Sequence, residues 1–303
     1  MSNITRSMAD TAGFIPQAWA QRALDILRTN IVLARLVTKD QSFEPGWKGK
    51  TLNIPYPGTF TAQDKAADAQ ATVQTPVGGA TVSVTLNKHK YVDFIVEDVA
   101  EAQANQPLMD RYVKGAAIAL GDAVEDDLFG LYAGLSTSIG TSGTDLSAAT
   151  IRTARKTLND AKVPLADRHL IFSSKDEIAL LADAGLQNYF AYSKSSAIAE
   201  GSLGNIYGFN LWMSQRVPVV AGTPNSTKNL ALTPEAFILA TRPFRDVPQG
   251  SGAQATTVTD PETGLVIRVI YQYDINYRGM RVGFDILYGV AELRDACGLV
   301  VLS

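Results

Sequence analysis

The sequence predicts a mixed α+β protein of about two domains. Three observations carry that expectation: an apolar pattern of helical period over residues 107–135, period-two alternation over 81–86 and again toward the C-terminus, and a Gly/Ser/Thr-rich break at 136–147. With 303 residues and 46% hydrophobic content, the chain has enough apolar mass for one or two cores.

Residues 16–39 come first. Trp19, Ala23, Ile26, Leu27, Val32, Leu33 and Leu36 recur near helical spacing behind Pro16, with polar Gln17, Gln21, Arg22, Asp25, Arg28 and Arg35 between them. An amphipathic arm of this kind needs a partner surface, either its own core or a neighbour's. Residues 47–57 then read as a strand ending at Pro55 and Pro57, and residues 81–86 as its half-buried partner, with Val82, Val84 and Leu86 on one face. The intervening 59–79 are rich in Ala, Thr, Gln and Asp, far longer than an ordinary connection. Two strands and a long polar tip predict a protruding hairpin that reaches a neighbouring molecule.

The strand-like run 91–96 leads into a helical pattern opened by Glu97 and Asp98, whose charges suit the positive end of a helix dipole. Asn105 and Pro107 predict a fresh cap, and the main helix then runs to about Leu135. Its apolar positions Val113, Ala117, Leu120, Val124, Leu128 and Leu131 step by three and four, and Asp122, Glu125, Asp126 and Asp127 fall on the side expected to be wet. Beyond the break, a helix within 145–161, a strand at 168–173, a helix capped by Ser174 and further strands predict a mixed second domain. Residues 265–273, 276–288 and 290–294 alternate in β-branched and aromatic residues, as sheet strands do.

Composition excludes several functions. With 27 basic and 30 acidic side chains the net charge is -3, so no overall field drives the chain onto phosphate. The single Cys297 rules out an intrachain disulfide and a multi-cysteine metal site. No signal peptide or membrane span is apparent in the sequence. His89 and His169 are the only histidines. Neither has a nucleophile or metal-binding companion nearby in sequence, and His89 stands between the positive charges of Lys88 and Lys90. The run Gly46-Trp47-Lys48-Gly49-Lys50-Thr51 ends like a phosphate-binding loop, but Glu44 replaces its first glycine and Pro55 bars the helix that should follow. The residues predict no catalytic site, no metal and no cofactor.

The order of elements resembles the HK97-type fold of tailed-phage major capsid proteins, closest to the branch that includes P22-like coat proteins. The resemblance spans nearly the whole chain. It is carried by VEDVAEAQAN and GDAVEDDLFGLYAG within 82–135, IYGFNLWMSQRVP at 206–218, and LALTPEAFILATRP at 230–243, the last matching a strand pair of the family's axial domain. The resemblance implies an N-terminal arm at 1–44 and an extended hairpin, or E-loop, at 45–90. It further implies a peripheral domain of spine helix and strands at 91–140 and 261–303, and an axial domain at 141–260.

It also implies a structural, non-enzymatic subunit. Hexamers and pentamers of it would close an icosahedral shell around double-stranded DNA, and the virion would be assembled in the host cytoplasm. Expected partners are other copies of the chain, a separate scaffolding protein, a portal protein, DNA held by weak non-specific contact, and a possible decoration protein, with no membrane. The scaffolding expectation rests on the absence of a long segment before residues 8–16. Candidate subunit contacts are Trp19, Ile26, Leu33 and Leu36 of the arm and Trp47 and Lys65 of the hairpin. Lys65 is also the hairpin lysine available for a covalent cross-link, although no asparagine partner or activating acid is identifiable. Alternatives are an encapsulin-like compartment around enzyme cargo, another phage head or tail component, which the long helix disfavours, and a soluble enzyme with a dispersed site.

Overall fold

The computed structural model of the chain describes residues 22–23, 31–40, 51–56, 60–71, 73, 75, 80–99, 108–183, 204–245, 247–248, 252–260 and 263–303. In chain order these form α1 (Leu33–Leu36), β1 (Thr38–Asp40), β2 (Thr51–Tyr56), β3 (Ala80–Thr85), β4 (Lys88–Glu97), α2 (Leu108–Phe129) and β5 (Ser138–Gly140). The second half follows as α3 (Ala148–Asp160), β6 (His169–Phe172), α4 (Ser174–Ala182), β7 (Asn205–Ile206), β8 (Phe209–Met213), β9 (Val219–Val220) and β10 (Ser226–Leu232). The chain closes with β11 (Phe237–Thr241), β12 (Gln254–Thr259), β13 (Val266–Asp274), β14 (Gly279–Glu292) and β15 (Gly298–Leu302). No helix among the described residues is long and apolar enough to cross a membrane.

One sheet is organised by β14. Its order is β1-β11-β14-β13-β12, and β4 also pairs with β14. Residues 279–288 of β14 run antiparallel to β4, and 288–292 continue antiparallel to β11, so a single 14-residue strand serves two partners along one edge. Val282, Phe284, Ile286 and Tyr288 alternate onto one buried face, as the two-residue period of a strand requires. Against it lies α2, a rod of roughly 33 Å, which buries Val113, Ala117, Leu120, Val124 and Leu128. Phe94 of β4 joins helix to sheet, stacked on Tyr112 at 5.3 Å and Phe284 at 6.2 Å between ring centroids.

The other large sheet has the order β5-β15-β10-β6-β8-β7, with β9 on β10. The helix α3 turns Ile151, Ala154 and Leu158 into the core, and the Ser147 hydroxyl caps its first turn by accepting Thr150 N–H. A small third sheet is the β2–β3 hairpin, paired from Thr51↔Thr85 to Tyr56↔Ala80.

Several sequence expectations need correction. The regular helix stops at Phe129 and tightens into a 3₁₀ turn over Gly130–Gly134. Glu97 ends β4 opposite Gly279, and the helical residues begin one position later, at Asp98 and Val99. The cap of α4 is Ser173, whose hydroxyl accepts Asp176 N–H, not Ser174. Within the break at 136–147, β5 pairs in parallel with β15.

The expected division into 141–260 and 261–303 does not follow the sheets. Strands β11 and β12 belong with β13 and β14, whereas β15 lies between β5 and β10. The apolar run Leu299, Val300 and Val301 is buried there, as suits an interior strand. The pair expected at 230–243 is likewise split, because the 3₁₀ turn Pro234–Ala236 carries the chain from one sheet to the other.

Candidate subunit-contact surfaces

The hairpin is anchored at one end and open at the other. Val84 and Leu86 are buried against Ile238 and Ala240, with Leu52, Ile54, Ala291 and Leu293 packed around them. This satellite core fixes the hairpin root on the β11–β14 edge. Glycine at position 289 permits the approach, since a Cβ there would collide with the carbonyl of Thr85. Every described residue from 60 to 75 is exposed, including Lys65, Phe60 at 68% and Val73 at 94%. A segment without internal burial has backbone and side chains free for another surface.

Below the root, Asp127 of α2 gathers the base of β4. Lys88 Nζ donates to it at 2.8 Å, Lys90 Nζ stands at 3.7 Å, and the Tyr288 hydroxyl donates at 2.5 Å. Burial disfavours its charge, but the hydrogen bonds from Lys88 and Tyr288 and both lysine charges outweigh it and hold the carboxyl below the usual range. The same cluster pushes the Tyr288 phenol upward, burial first and the Asp127 bond second.

Two residues away, Glu125 has the opposite surroundings. It is 1% exposed, not on a wet face as the charge run suggested, because the arm segment 31–37 lies across it. Leu33 and Leu36 are buried in the chain's own core, which removes them as surface contacts; of the two partners open to the arm, these side chains take the intrachain one. Trp19, Ile26 and Trp47 lie outside the described residues.

The face of the β14 sheet away from α2 carries mixed charge and aromatic surface. His89, Tyr91, Asp93, Ile270, Gln272, Arg281, Gly283 and Asp285 line a concavity of ≈ 310 Å³. Arg268 Nε donates to Asp285 at 3.0 Å while its guanidinium sits 4.3 Å from the Phe244 ring centroid, and Arg281 pairs with Asp93 at 2.9 Å. His89 Nε2 lies 3.5 Å from Asp285, a carboxylate already held by Arg268. Among the residues that line this concavity there is no serine, threonine or cysteine. Tyr91 is exposed on this face, and Ile275 and Tyr277 are exposed in the turn beyond it, a composition suited to protein contact.

The second domain contains a polar network that the sequence reading missed. Asp176, fully buried, accepts from Leu146 N–H at 3.1 Å, Ser173 Oγ at 2.9 Å, Asn229 Nδ2 at 2.8 Å and Ser303 Oγ at 2.8 Å. The Ser-x-x-Asp spacing of 173 and 176 was the available signal, as half of a capping motif. His169 is internal too: Trp212 Nε1–H donates to its Nδ1 at 3.2 Å, and burial lowers its proton affinity. Arg216 ties this domain to the helix by pairing with Asp126, with Asp122 at 3.8 Å. Among the described residues, no three His, Cys, Asp or Glu side chains are placed to hold a metal.

Solved capsid structures share this architecture. The chain is similar to a structure from Mycobacterium phage Che8, at 20% identity and TM-score 0.60, covering 84% of this chain and 85% of the other. It is also similar to the capsid of the cyanophage P-SCSP1u, at 16% identity and TM-score 0.63, covering 89% and 87%. A virus-like particle from Pyrococcus furiosus has the same fold at 10% identity and TM-score 0.54, covering 94% and 98%. No curated protein matches the sequence. The family model described as phage capsid protein matches residues 79–286, from the return strand of the hairpin through the helix, both sheets and most of β14. The chain belongs to the phage capsid protein family.

Proposed function

We propose that the chain is the major capsid subunit of a tailed phage, assembling as hexamers and pentamers into an icosahedral shell around double-stranded DNA. Family membership over residues 79–286 is the observation that carries this reading. The exposed hairpin tip supports it, because a shell subunit needs surface to give to its neighbours and each contact must repeat around a closed symmetric assembly. The hairpin at 45–90 lies over an adjacent subunit, with Lys65 at its exposed end. The face around Tyr91 and Tyr277 meets further copies. The role is structural and non-enzymatic. A separate scaffolding protein guides assembly, a portal protein occupies one vertex, DNA is held by weak non-specific contact, and the shell forms in the host cytoplasm.

An encapsulin-like compartment is the second reading, since the virus-like particle from Pyrococcus furiosus shares the fold. Family membership favours the phage capsid. Particles purified from infected cells decide between them. Nuclease-resistant double-stranded DNA of genome length inside the shell is the expected result. Particles filled with one enzyme and free of such DNA would contradict it.

A further inference from the structure

One carboxyl group of α2 hydrogen-bonds to the backbone of the arm segment 31–37. Glu125 Oε1 accepts both Val32 N–H and Ala34 N–H, each at 3.1 Å, while its buried Oε2 has no hydrogen-bond partner. Leu33, Ala34 and Leu36 of the arm and Val124 and Leu128 of the helix are buried around this contact. In so apolar a site, an unsolvated oxygen is far more costly on a charged carboxylate than on a neutral acid. From this geometry we infer that Glu125 is a proton-controlled latch: the protonated acid holds residues 31–37 on the spine helix, and loss of the proton loosens them.

The surrounding charges do not cancel the effect. On its own helix Asp126 favours the protonated form, and Asp122 lies one turn earlier. Arg216 faces Glu125 from the second domain, but its guanidinium is committed to Asp126. The arm's own charges, Arg35, Lys39 and Asp40, are not among the groups that shift Glu125. Burial is the largest influence, ahead of the opposing backbone bonds, and raises the carboxyl to about 7. The folded group therefore holds its proton more tightly than the released one. Docking is strongest below the ordinary glutamate range and weakens as pH rises through about 7.

Limited trypsin digestion of the full-length unassembled subunit tests the latch, with cleavage at Arg35 reporting the arm. Cleavage at exposed Lys65 in the same molecule cancels the protease's own pH dependence. Between about pH 5.5 and about pH 8.5 the arm-to-hairpin ratio of initial rates should rise by about thirtyfold. Glu125→Gln keeps an acceptor for the two N–H groups but cannot ionise, so its ratio should stay low and flat. A flat ratio in the wild type, or an equal rise in both proteins, overturns the latch. If Glu125→Gln does not fold, as judged by circular dichroism, the wild-type profile decides alone. The inference concerns the subunit itself, so it stands or falls independently of the shell reading.

Discussion

The spine helix α2 has two differently built flanks. At the hairpin root, Asp127 meets Lys88, Lys90 and Tyr288, so its charge is matched and its carboxyl stays ionised. At the arm, Glu125 accepts from two backbone N–H groups amid buried apolar side chains, no cation among the described residues pairs with it closely, and one oxygen is left without a partner. Two carboxyls only two residues apart thus shift in opposite directions, because a helix turns about 100° per residue and presents them to different neighbours. The root is set firmly where the hairpin leaves the body, while the arm is held by a contact that depends on one proton.

The largest effect should come from removing what the firm flank carries. Deleting residues 59–79 takes away the exposed tip but spares the satellite core of Val84, Leu86, Ile238 and Ala240. Far-ultraviolet circular dichroism should show a folded subunit, and sedimentation should show no closed shells. Normal shells from the deletion would remove the hairpin from the assembly mechanism.

Next in size is the pH dependence of the arm flank. Because the Glu125 carboxyl is raised to about 7 in the folded protein, its contribution is complete below the ordinary glutamate range and is lost as pH rises through 7. Denaturant unfolding of the wild type should accordingly lose about 2 to 3 kcal/mol more than Glu125→Gln between about pH 5 and about pH 8. Parallel profiles would break the contrast between the flanks.

The smallest effect belongs to Asp127→Asn, which should cost about 1 to 2 kcal/mol at neutral pH because Lys88 and Tyr288 lose a charged acceptor. Its sign is opposite: the carboxyl is lowered when folded, so its contribution is present above the ordinary aspartate range and lost as pH falls. The difference from wild type should shrink in acid, which chevron or equilibrium unfolding at low pH would reveal.

Much of this architecture was legible in the sequence. The three-and-four spacing of Val113, Ala117, Leu120, Val124 and Leu128 predicts the helix because its buried stripe faces a sheet along its length. The alternation of Val82, Val84 and Leu86 predicts the hairpin return for the same local reason. Strand partners were not legible: Leu299, Val300 and Val301 would suit the interior of either sheet, and the choice depends on distant β5 and β10. Glu125 was misread because Asp122, Asp126 and Asp127 made the run look solvated. Its four-and-three spacing to Gly121 and Leu128, both buried, was the signal that it shares their face. The exposed tip of the hairpin leaves no periodic trace, since its described residues from 60 to 75 bury no face within the chain.

The central claim, a capsid subunit that closes into a shell, is tested most directly by electron microscopy of the protein coexpressed with its neighbouring genes and fractionated by sedimentation. Closed icosahedral particles of uniform size are the predicted result. Small discrete oligomers under every condition would contradict it.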